Sequence, residues 1–319
     1  MVTSTQESAA GVADVIRIAG SAGGPARLLF DVPHGATDRA DLDALTVAMQ
    51  SPLPPDLVDF FHVNTDVGAP ELAVAVASLC AAPAADAPLA ALADKLGHAP
   101  FRQGVTSVVL RSRIPRTLVD CNRLPGEGAA GLTGMLPDYI VAAADIKRLH
   151  ALHAAWLKLC ASRWQDVCGA GGVAVALHSY APRSVAIDHI GADIVRQLHA
   201  AWAADQVERW PLRPPVDLIH RDVEGVSKID PGLLADLRAA LGAISIEAGD
   251  SATYPLHPAT TAARHAARWP GQAVCIEVRR DLLVEAWRPF EAMRVDSERV
   301  RRIARPLAVA LLAKLRVRS

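Results

Sequence analysis

The stretch GGVAVALHS (residues 171–179) decides the fold class, because its apolar residues follow one another instead of alternating with polar residues. Such a run is typical of a strand that is covered on both faces, as in a mostly parallel sheet. Similar runs recur along the chain, at ARLLFDVPH (26–34), VTSVVL (105–110), TLVDCN (117–122), PVDLIH (215–220) and QAVCIEV (272–278). We therefore predict that these runs form the strands of one sheet.

Helical patterns separate the apolar runs. They cover APELAVAVASLCAA (69–82), residues 137–164, PGLLADLRAALG (231–242) and a closing segment at 296–318, in which Pro306 predicts a break or a kink. The alternation of strands and helices favours an α/β fold with an open, mostly parallel or mixed sheet that is flanked by helices. We predict a single domain over residues 1–319, with residues 1–13 as a flexible lead-in.

The composition argues against several classes of protein. The formal net charge is −1, with 33 basic and 34 acidic residues, which disfavours nucleic-acid binding. No apolar run approaches the roughly 18 residues of a membrane span, and the first residues lack the features of a secretory signal. The five cysteines have no CxxC spacing and suit small core residues in a reducing compartment. We expect a cytoplasmic protein without a nucleic-acid or membrane partner, and the sequence leaves the oligomeric state open.

Histidines and carboxylates lie at the ends of the predicted strands, where ligands of such sheets bind. His34 ends the first run, His178 follows the apolar part of GGVAVALHS, Glu277 lies in the last run, and Asp66 precedes a predicted helix. Each has a structural explanation when taken alone: a lone histidine is more often a hydrogen-bonded structural residue, and Asp66 could cap its helix. Together, two histidines and one acid match the ligands of a catalytic zinc, and a further carboxylate nearby could accept the proton of a water.

The stretch RTLVDCNR (116–123) has an arginine at each end, with Asp120 and Asn122 between them. A buried charge needs a partner, so these polar groups require an explanation. Arginine binds a carboxylate as a rigid two-pronged donor, which makes Arg116, Asn122 and Arg123 candidates for holding an anionic substrate. The alternative is a structural network of ion pairs at a strand edge.

Other catalytic motifs are missing from the sequence. It has no GxSxG elbow and no HExxH, and GSAGG (20–24) lacks the pattern of a dinucleotide or phosphate loop. His150 and His153 lie three residues apart in a predicted helix, where packing is the commoner explanation for such a pair. His265, four residues before Trp269, is equally well explained by packing or by a surface position.

Five motifs follow one another over roughly residues 30 to 285: VPHG, NTDVGA, RTLVDCNR, ALHSYAP and CIEVRRDLL. Together they resemble the N-formylglutamate amidohydrolase family, a distant relative of the zinc carboxypeptidases and aspartoacylases. The resemblance implies a catalytic domain with a zinc-carboxypeptidase-like fold and one zinc ion per chain. It also implies that His34, Asp66 and His178 bind the zinc, that Glu277 is the general base, and that Arg116 shares the oxyanion charge.

The same resemblance implies residues that bind the substrate. Asn122 and Arg123 would hold its carboxylate, and Asp120 would orient one of the arginines. Tyr254 matches a tyrosine that is expected shortly before the general base, and His257 beside it is predicted to line the pocket. The segment YPLHPATTAARHAARWPG (254–271) stands where some members carry a glycine-rich element, so we expect the pocket wall to differ from theirs.

The implied reaction is the hydrolysis of the amide of an N-acyl amino acid, a small anionic substrate, to an acid and a free amino acid. The acyl group stays open, since formyl is the family's substrate and does not follow from the spacing. Two alternatives remain. One is a carboxypeptidase-like hydrolase of small peptides, and the other is a non-catalytic member that binds an anionic ligand.

Overall fold

The apolar runs form neighbouring strands at the centre of one sheet. The computed structural model describes residues 3–9, 11–126, 133–187 and 189–316. The strands are β1 (Ser4–Ala9), β2 (Ala13–Ile18), β3 (Leu28–Val32), β4 (Ser107–Ser112), β5 (Val173–Tyr180), β6 (Val216–Ile219), β7 (Ala248–Asp250) and β8 (Ala273–Arg279). Their order is β1-β2-β4-β3-β5-β8-β6-β7. The central β4, β3, β5 and β8 are parallel, while β2 and β6 pair antiparallel on either side of them, so the predicted mixed sheet is confirmed.

Helices cover both faces of the sheet, which confirms the α/β prediction. They are α1 (Arg39–Thr46), α2 (Leu57–Asn64), α3 (Ala69–Ala81), α4 (Ala87–Lys95), α5 (Ala143–Cys168), α6 (Ile194–Ala201), α7 (Pro231–Gly242), α8 (Thr261–Arg268) and α9 (Ser297–Arg316). Buried side chains of α3, α4, α7 and α9 form the core on one face, and those of α2, α5, α6 and α8 form the core on the other.

The central strand β3 shows how the sheet is buried on both sides. All of its residues are buried. Leu28 and Phe30 belong to the core beneath α3 and α9, whereas Leu29 belongs to the core beneath α5. Asp31 also lies towards α5, because it accepts a hydrogen bond from the indole N–H of Trp164 at 2.8 Å. A continuous apolar run therefore indicated a strand with two buried faces, as expected.

Residues 117–122, predicted as a strand, form turns instead. The backbone N–H of Val119 donates to the carbonyl of Pro115 at 3.1 Å, and the side chain of Asp120 accepts from the backbone N–H of Asn122 at 2.9 Å. Proline and aspartate both favour such turns. Val119 is nevertheless fully buried, so the run is apolar because it packs into the core and not because it pairs in the sheet.

The predicted flexible lead-in is wrong over residues 4–9, which form β1. This strand pairs antiparallel with β2, from Ser4 opposite Ile18 to Ala9 opposite Ala13. Its sequence, STQESA, is polar and almost entirely exposed. An exposed edge strand of this kind is held by backbone hydrogen bonds, which leave no hydrophobic pattern in the sequence.

The closing helix α9 continues through Pro306, so of the predicted break or kink the break does not occur. Proline lacks the N–H that a helix interior requires. Pro306 is buried, and α9 packs against α3 and α7, so tertiary contacts hold the helix together despite the local cost. Although α9 has 20 residues, no helix within the described ranges is both long and apolar enough to cross a membrane.

Candidate active site

Three parallel strands bring histidines and a carboxylate to one edge of the sheet. β3, β5 and β8 are neighbours, and their carboxyl ends lie at the same edge, where ligands of such sheets bind. His34 follows the end of β3 by two residues. His178 lies near the end of β5, directly opposite Glu277 of β8 in the strand register. The strand order therefore places these side chains close together.

Asp66 reaches the same edge from the turn between α2 and α3. Its backbone N–H donates to the carbonyl of His34 at 3.3 Å, which ties the turn to the end of β3. Gly68 has a φ of +86°, and a Cβ there would lie 2.6 Å from a side-chain atom of Leu283, so glycine lets the turn pass close to the chain after β8. Gly68 is also the N-cap of α3, so helix capping does not explain the Asp66 carboxylate.

The side chains of His34, Asp66 and His178 converge. Oδ2 of Asp66 lies 3.3 Å from Nδ1 of His34 and 3.0 Å from Nδ1 of His178. One ligand atom from each residue lies within 4.8 Å of the other two, and all three residues are buried. The two imidazole centroids are 5.0 Å apart, with the rings tilted by 56°. Two nitrogen donors and one carboxylate oxygen in this arrangement fit a zinc site that keeps a fourth position open.

Neighbouring groups hold His34 and Asp66 in place. Nε2 of His34 lies 2.8 Å from Oδ1 of Asp120, which turns Nδ1 of the same ring towards Asp66. A carboxylate partner of this kind orients many metal-binding histidines. The guanidinium of Arg280 donates to Oδ1 of Asp66 at 3.4 Å, which leaves Oδ2 for the histidines. Burial lowers the pKa of Arg280 to about 10, so this residue stays charged at neutral pH.

Charges keep the carboxylate of Asp66 ionised although it is buried. Burial alone would raise the pKa of Asp66, but the charge of His34 and the hydrogen bond from His178 outweigh burial and hold the pKa well below its usual range. Burial alone would lower the pKa of His178, but the hydrogen bond to Asp66 together with the negative charges of Glu277 and Asp66 outweighs burial, so that this pKa is raised. A metal ion that displaces the imidazole protons would take their place beside the carboxylate.

Glu277 lies beside these ligands with one uncommitted carboxylate oxygen. The hydroxyl of Tyr254 donates to Oε1 of Glu277. Oε2 is buried and has no hydrogen-bond partner in the described part of the chain. Burial raises the pKa of Glu277, and the positive charge of His178 opposes this effect only in part. A carboxylate with a raised pKa and an uncommitted oxygen is suited to accepting a proton.

Asp120 connects the RTLVDCNR segment to His34. Its Oδ2 lies 3.2 Å from Nε of Arg116 and 3.6 Å from Nη1 of Arg123. Burial alone would raise the pKa of Asp120, but the charges of Arg123 and Arg116 hold it well below its usual value. The segment therefore does contain a network of ion pairs, and that network extends to one of the candidate metal ligands.

Arg116, Asn122 and Arg123 line the same cavity as the candidate metal ligands. Oδ1 of Asn122 accepts from the hydroxyl of Thr261 at 2.7 Å, at the start of α8. Nε of Arg123 donates to the carbonyl of Thr133 at 3.0 Å. The side chain of Arg123 is 9% exposed, compared with 27% for Arg116. Arg116 therefore presents more of its guanidinium to a ligand, while Asn122 and Arg123 are partly engaged by the protein.

Tyr254 and His257 also line this cavity, whereas His265 does not. Nδ1 of His257 accepts from the backbone N–H of Ala259 at 3.1 Å, which fixes the ring at the cavity wall. His265 is buried elsewhere, stacked on Trp164 with ring centroids 4.4 Å apart. Packing therefore explains His265, and substrate binding by Tyr254 and His257 stays a prediction.

Three arginines of this cavity, Arg183, Arg213 and Arg280, were not predicted from the sequence. Arg280 contacts Asp66, as described above, and its guanidinium lies beneath α2, where it donates to the carbonyl of Val63. Arg213 lies over the ring of Tyr180, 4.9 Å from its centroid. The pair RR directly after the apolar run VCIEV was a visible signal for Arg280. Nothing in the sequence marks Arg213, because its position depends on how the chain before β6 pairs with the segment after β5, where the backbone N–H of Arg213 donates to the carbonyl of Pro182 at 2.9 Å.

Comparisons with solved structures address the fold. An N-formylglutamate amidohydrolase from Ralstonia eutropha is 14% identical, with a TM-score of 0.57, and the match covers 97% of this chain and 100% of that chain. A gene product from Agrobacterium tumefaciens is 18% identical, with a TM-score of 0.49 and 96% of both chains covered. A metallo-carboxypeptidase from Burkholderia cenocepacia is 9% identical, with a TM-score of 0.40, and the match covers 100% of this chain and 66% of that chain.

No protein-family model matches the sequence, and no curated protein does. The likeness to the Ralstonia eutropha structure extends over nearly the full length of both chains. It confirms, at the level of the fold, the resemblance that the five sequence motifs predicted. The chain therefore shares its α/β fold with an N-formylglutamate amidohydrolase.

Proposed function

We propose that the protein is a zinc-dependent amidohydrolase that cleaves the amide of an N-acyl amino acid to an acid and a free amino acid. The proposal rests on the convergence of three ligand atoms, from His34, Asp66 and His178, beside Glu277. The fold shared with an N-formylglutamate amidohydrolase supports it. A zinc ion held by the three ligands would polarise the scissile carbonyl and lower the pKa of a water.

Glu277 carries the proton transfer in this proposal. Its Oε2 accepts the proton of the attacking water and later returns it to the leaving nitrogen. The hydroxyl of Tyr254, bound to Oε1, holds the carboxylate so that Oε2 is left for this task. Arg116, which is partly exposed and fixed by Asp120, stabilises the negative charge that develops on the carbonyl oxygen.

The arginines of the cavity supply the binding site for the carboxylate of the substrate. Arg123 shares Asp120 with Arg116, and Asn122 lies between the two in the chain. We assign the carboxylate to Arg123 and Asn122, because a guanidinium provides strong charge-assisted hydrogen bonds to such a group. His257 lines the same cavity and completes the wall near Tyr254. A small anionic substrate follows from this arrangement, and neither nucleic acid nor a membrane is part of the proposal.

A cytoplasmic location belongs to the same proposal. The cysteines Cys80, Cys121, Cys160 and Cys275 are buried free thiols. Free thiols suit a reducing compartment, where disulfides are rare. Expression in cells followed by fractionation would check the location directly.

Metal analysis combined with an activity assay tests the proposed function. Purified protein should contain about one zinc per chain, should hydrolyse N-acyl amino acids, and should lose this activity to a chelator and regain it with zinc. His178→Ala should lose the metal, whereas the control His150→Ala, at an exposed position of α5, should keep it. Unchanged zinc content in His178→Ala would contradict the ligand assignment.

The same assay separates the two alternatives. Zinc binding without hydrolysis of any N-acyl amino acid or peptide would favour a non-catalytic protein that binds an anionic ligand. Faster cleavage of small peptides than of N-acyl amino acids would favour a carboxypeptidase-like enzyme. In both cases the three metal ligands would keep their assignment, and only the reaction would change.

A further inference from the structure

The cavity beside the candidate metal ligands has more room than a formyl group needs. Its volume is about 580 Å³, which lies within the range of sites that enclose drug-sized ligands. A formyl group contributes a single carbon and its oxygen. The remaining space must therefore be filled by another part of the substrate or by water.

Part of the cavity lining is formed by apolar side chains, which we name the apolar wall: Phe60, Val63, Ile187, Ile194, Leu198 and Trp202. Phe60 and Val63 are three residues apart on α2, and Ile194 and Leu198 are four apart on α6, so each pair lies on one helix face. α2 and α6 pack together. On their exposed side, Nε2 of His199 and Oδ2 of Asp59 form a hydrogen bond at 2.7 Å, which helps to fix the two helices next to each other.

The apolar wall differs from the protein core because part of its surface is left uncovered by the protein. Val63, Ile187 and Trp202 are only partly buried, although they pack against the core on the α5 face. Apolar surface that faces water in a cavity is unfavourable, and a ligand gains binding free energy when it covers that surface. The wall is continuous with the cavity of the candidate metal ligands, so the ligand that covers it is the substrate itself.

The charged lining residues come from other parts of the chain. Arg116 and Arg123 belong to the segment after β4, and Arg213 precedes β6. Arg280 follows β8, and its guanidinium is engaged by Asp66 and by the backbone carbonyl of Val63. Arg183, which is nearest in sequence to the wall, is engaged by the carbonyl of Trp210 at 2.8 Å. The cavity thus combines cationic groups for a carboxylate with a separate apolar surface, and it suits a molecule that has both features.

We propose that the substrate is an N-acyl amino acid with an apolar substituent of several carbons, aliphatic or aromatic, carried by its acyl group or by its amino acid side chain. This inference rests on the proposed function and specifies its substrate class. N-formyl amino acids with a small or charged side chain would leave the apolar wall uncovered, and they should be the poorest substrates.

Two series of substrates test the inference. One series extends the acyl group from formyl through acetyl and butanoyl to hexanoyl on a fixed amino acid. The other changes the side chain from glycine through alanine and leucine to phenylalanine under a fixed acyl group, with glutamate as the charged comparison. In at least one series, kcat/KM should rise about fourfold for each methylene that the wall covers. A flat or falling trend in both series would overturn the inference.

Substitutions in the wall sharpen the test. Ile187→Asn should lower kcat/KM for the largest apolar substrate by about tenfold or more and should change it little for the N-formyl substrate. Ala186→Asn introduces the same side chain at the exposed neighbouring position, which does not line the cavity, and should have no selective effect. On another element, Val63→Thr should act in the same direction, with the exposed Val47→Thr as its control. Equal losses for large and small substrates would count against the wall.

A binding measurement distinguishes failure of this inference from failure of the proposed function. The affinity of zinc-loaded Glu277→Gln for both series can be measured by calorimetry, because loss of the general base slows turnover. If affinity rises with apolar size while the native protein hydrolyses nothing, the wall is supported and the amidohydrolase proposal is wrong. If the native protein hydrolyses every member and affinity does not depend on apolar size, the proposed function stands and the apolar wall is not a substrate site.

Discussion

Two buried groups of polar side chains lie at or beside β3, and they differ in their hydrogen-bond partners and in whether they adjoin a cavity. The metal-candidate group consists of His34, Asp66, His178 and Glu277 and lines the cavity of about 580 Å³. The α5 group consists of Asp31, Cys160, Trp164 and His265 and is packed inside the core beneath α5. Both contain a buried aspartate and a buried histidine, so residue types alone do not distinguish them.

The hydrogen-bond donors to the two aspartates explain the difference. Asp31 accepts from the indole of Trp164 at 2.8 Å and from the thiol of Cys160 at 3.1 Å, which are both neutral. Burial raises the pKa of Asp31, and these hydrogen bonds offset burial only in part. Asp66 instead contacts two imidazoles and the guanidinium of Arg280, and its pKa is lowered. A buried acid is therefore ready for a metal when cationic neighbours keep it ionised and space adjoins it.

The difference between the two groups is tested most directly by replacing each aspartate with asparagine in turn. Asp66→Asn should abolish zinc binding, because it removes a ligand charge. Asp31→Asn should leave the zinc content unchanged and should alter the free energy of unfolding by about 1 kcal/mol. Metal analysis, with circular dichroism to confirm folding, measures both. Loss of zinc in both variants would mean that the two groups are not functionally distinct.

Within the metal-candidate group, Glu277 is expected to accept the proton of the attacking water and not to bind the metal. Glu277→Gln keeps the size of the side chain but cannot accept a proton, so kcat should fall by roughly 10²–10⁴ while the zinc content stays the same. Glu247→Gln, at an exposed position between α7 and β7, is the matched control. A variant that loses its zinc would place Glu277 among the ligands instead.

Arg280 offers a smaller and more selective change. Arg280→Gln removes the cation that holds Oδ1 of Asp66, and the loss of a group that orients a ligand typically weakens metal binding about 10- to 100-fold. Arg279→Gln is the matched control, because the adjacent Arg279 pairs with Asp281 at 2.9 Å and not with a candidate ligand. Competition with a zinc-binding dye gives both dissociation constants. Equal affinities in the two variants would show that Arg280 does not position Asp66.

The sequence predicted the central sheet because continuous apolar runs have a physical cause. β5 and β8 are buried along nearly their whole length, and a strand between two layers of helices can carry few polar residues. The same reasoning failed for residues 117–122, whose apolar side chains pack in the core from a turn. It also failed for β1, whose pairing with β2 is made by the backbone and leaves no trace in the side chains.

The candidate site shows a similar limit. His34, His178 and Glu277 could be predicted because they follow or end apolar strands, and parallel strands present their carboxyl ends together. The apolar wall could not be predicted, because residues such as Ile194 and Leu198 look like ordinary core positions of an amphipathic helix. The contact of Arg280 with Asp66 joins residues that are 214 positions apart, and no local pattern encodes it.

The smallest expected effect comes from the α5 group, in which His265 makes the free energy of unfolding depend on pH. Burial lowers the pKa of His265 from 6.5 to about 4, so between these values the unfolded chain binds a proton that the folded protein excludes. The free energy of unfolding should therefore fall as the pH falls, by about 2 kcal/mol between about pH 7.5 and about pH 5 from this residue. His265→Phe keeps the stacking on Trp164 but cannot titrate. Over the same pH range, denaturant unfolding of this variant should therefore show a fall in the free energy of unfolding that is smaller by about 2 kcal/mol. The exposed His150→Phe is the control. Asp31 acts with the opposite sign, since its raised pKa favours folding as the pH falls, but it is present in both proteins and cancels in the difference. An acid sensitivity that persists unchanged in His265→Phe would show that this histidine is not held neutral, and the α5 group would then resemble the metal-candidate group more than its packing indicates.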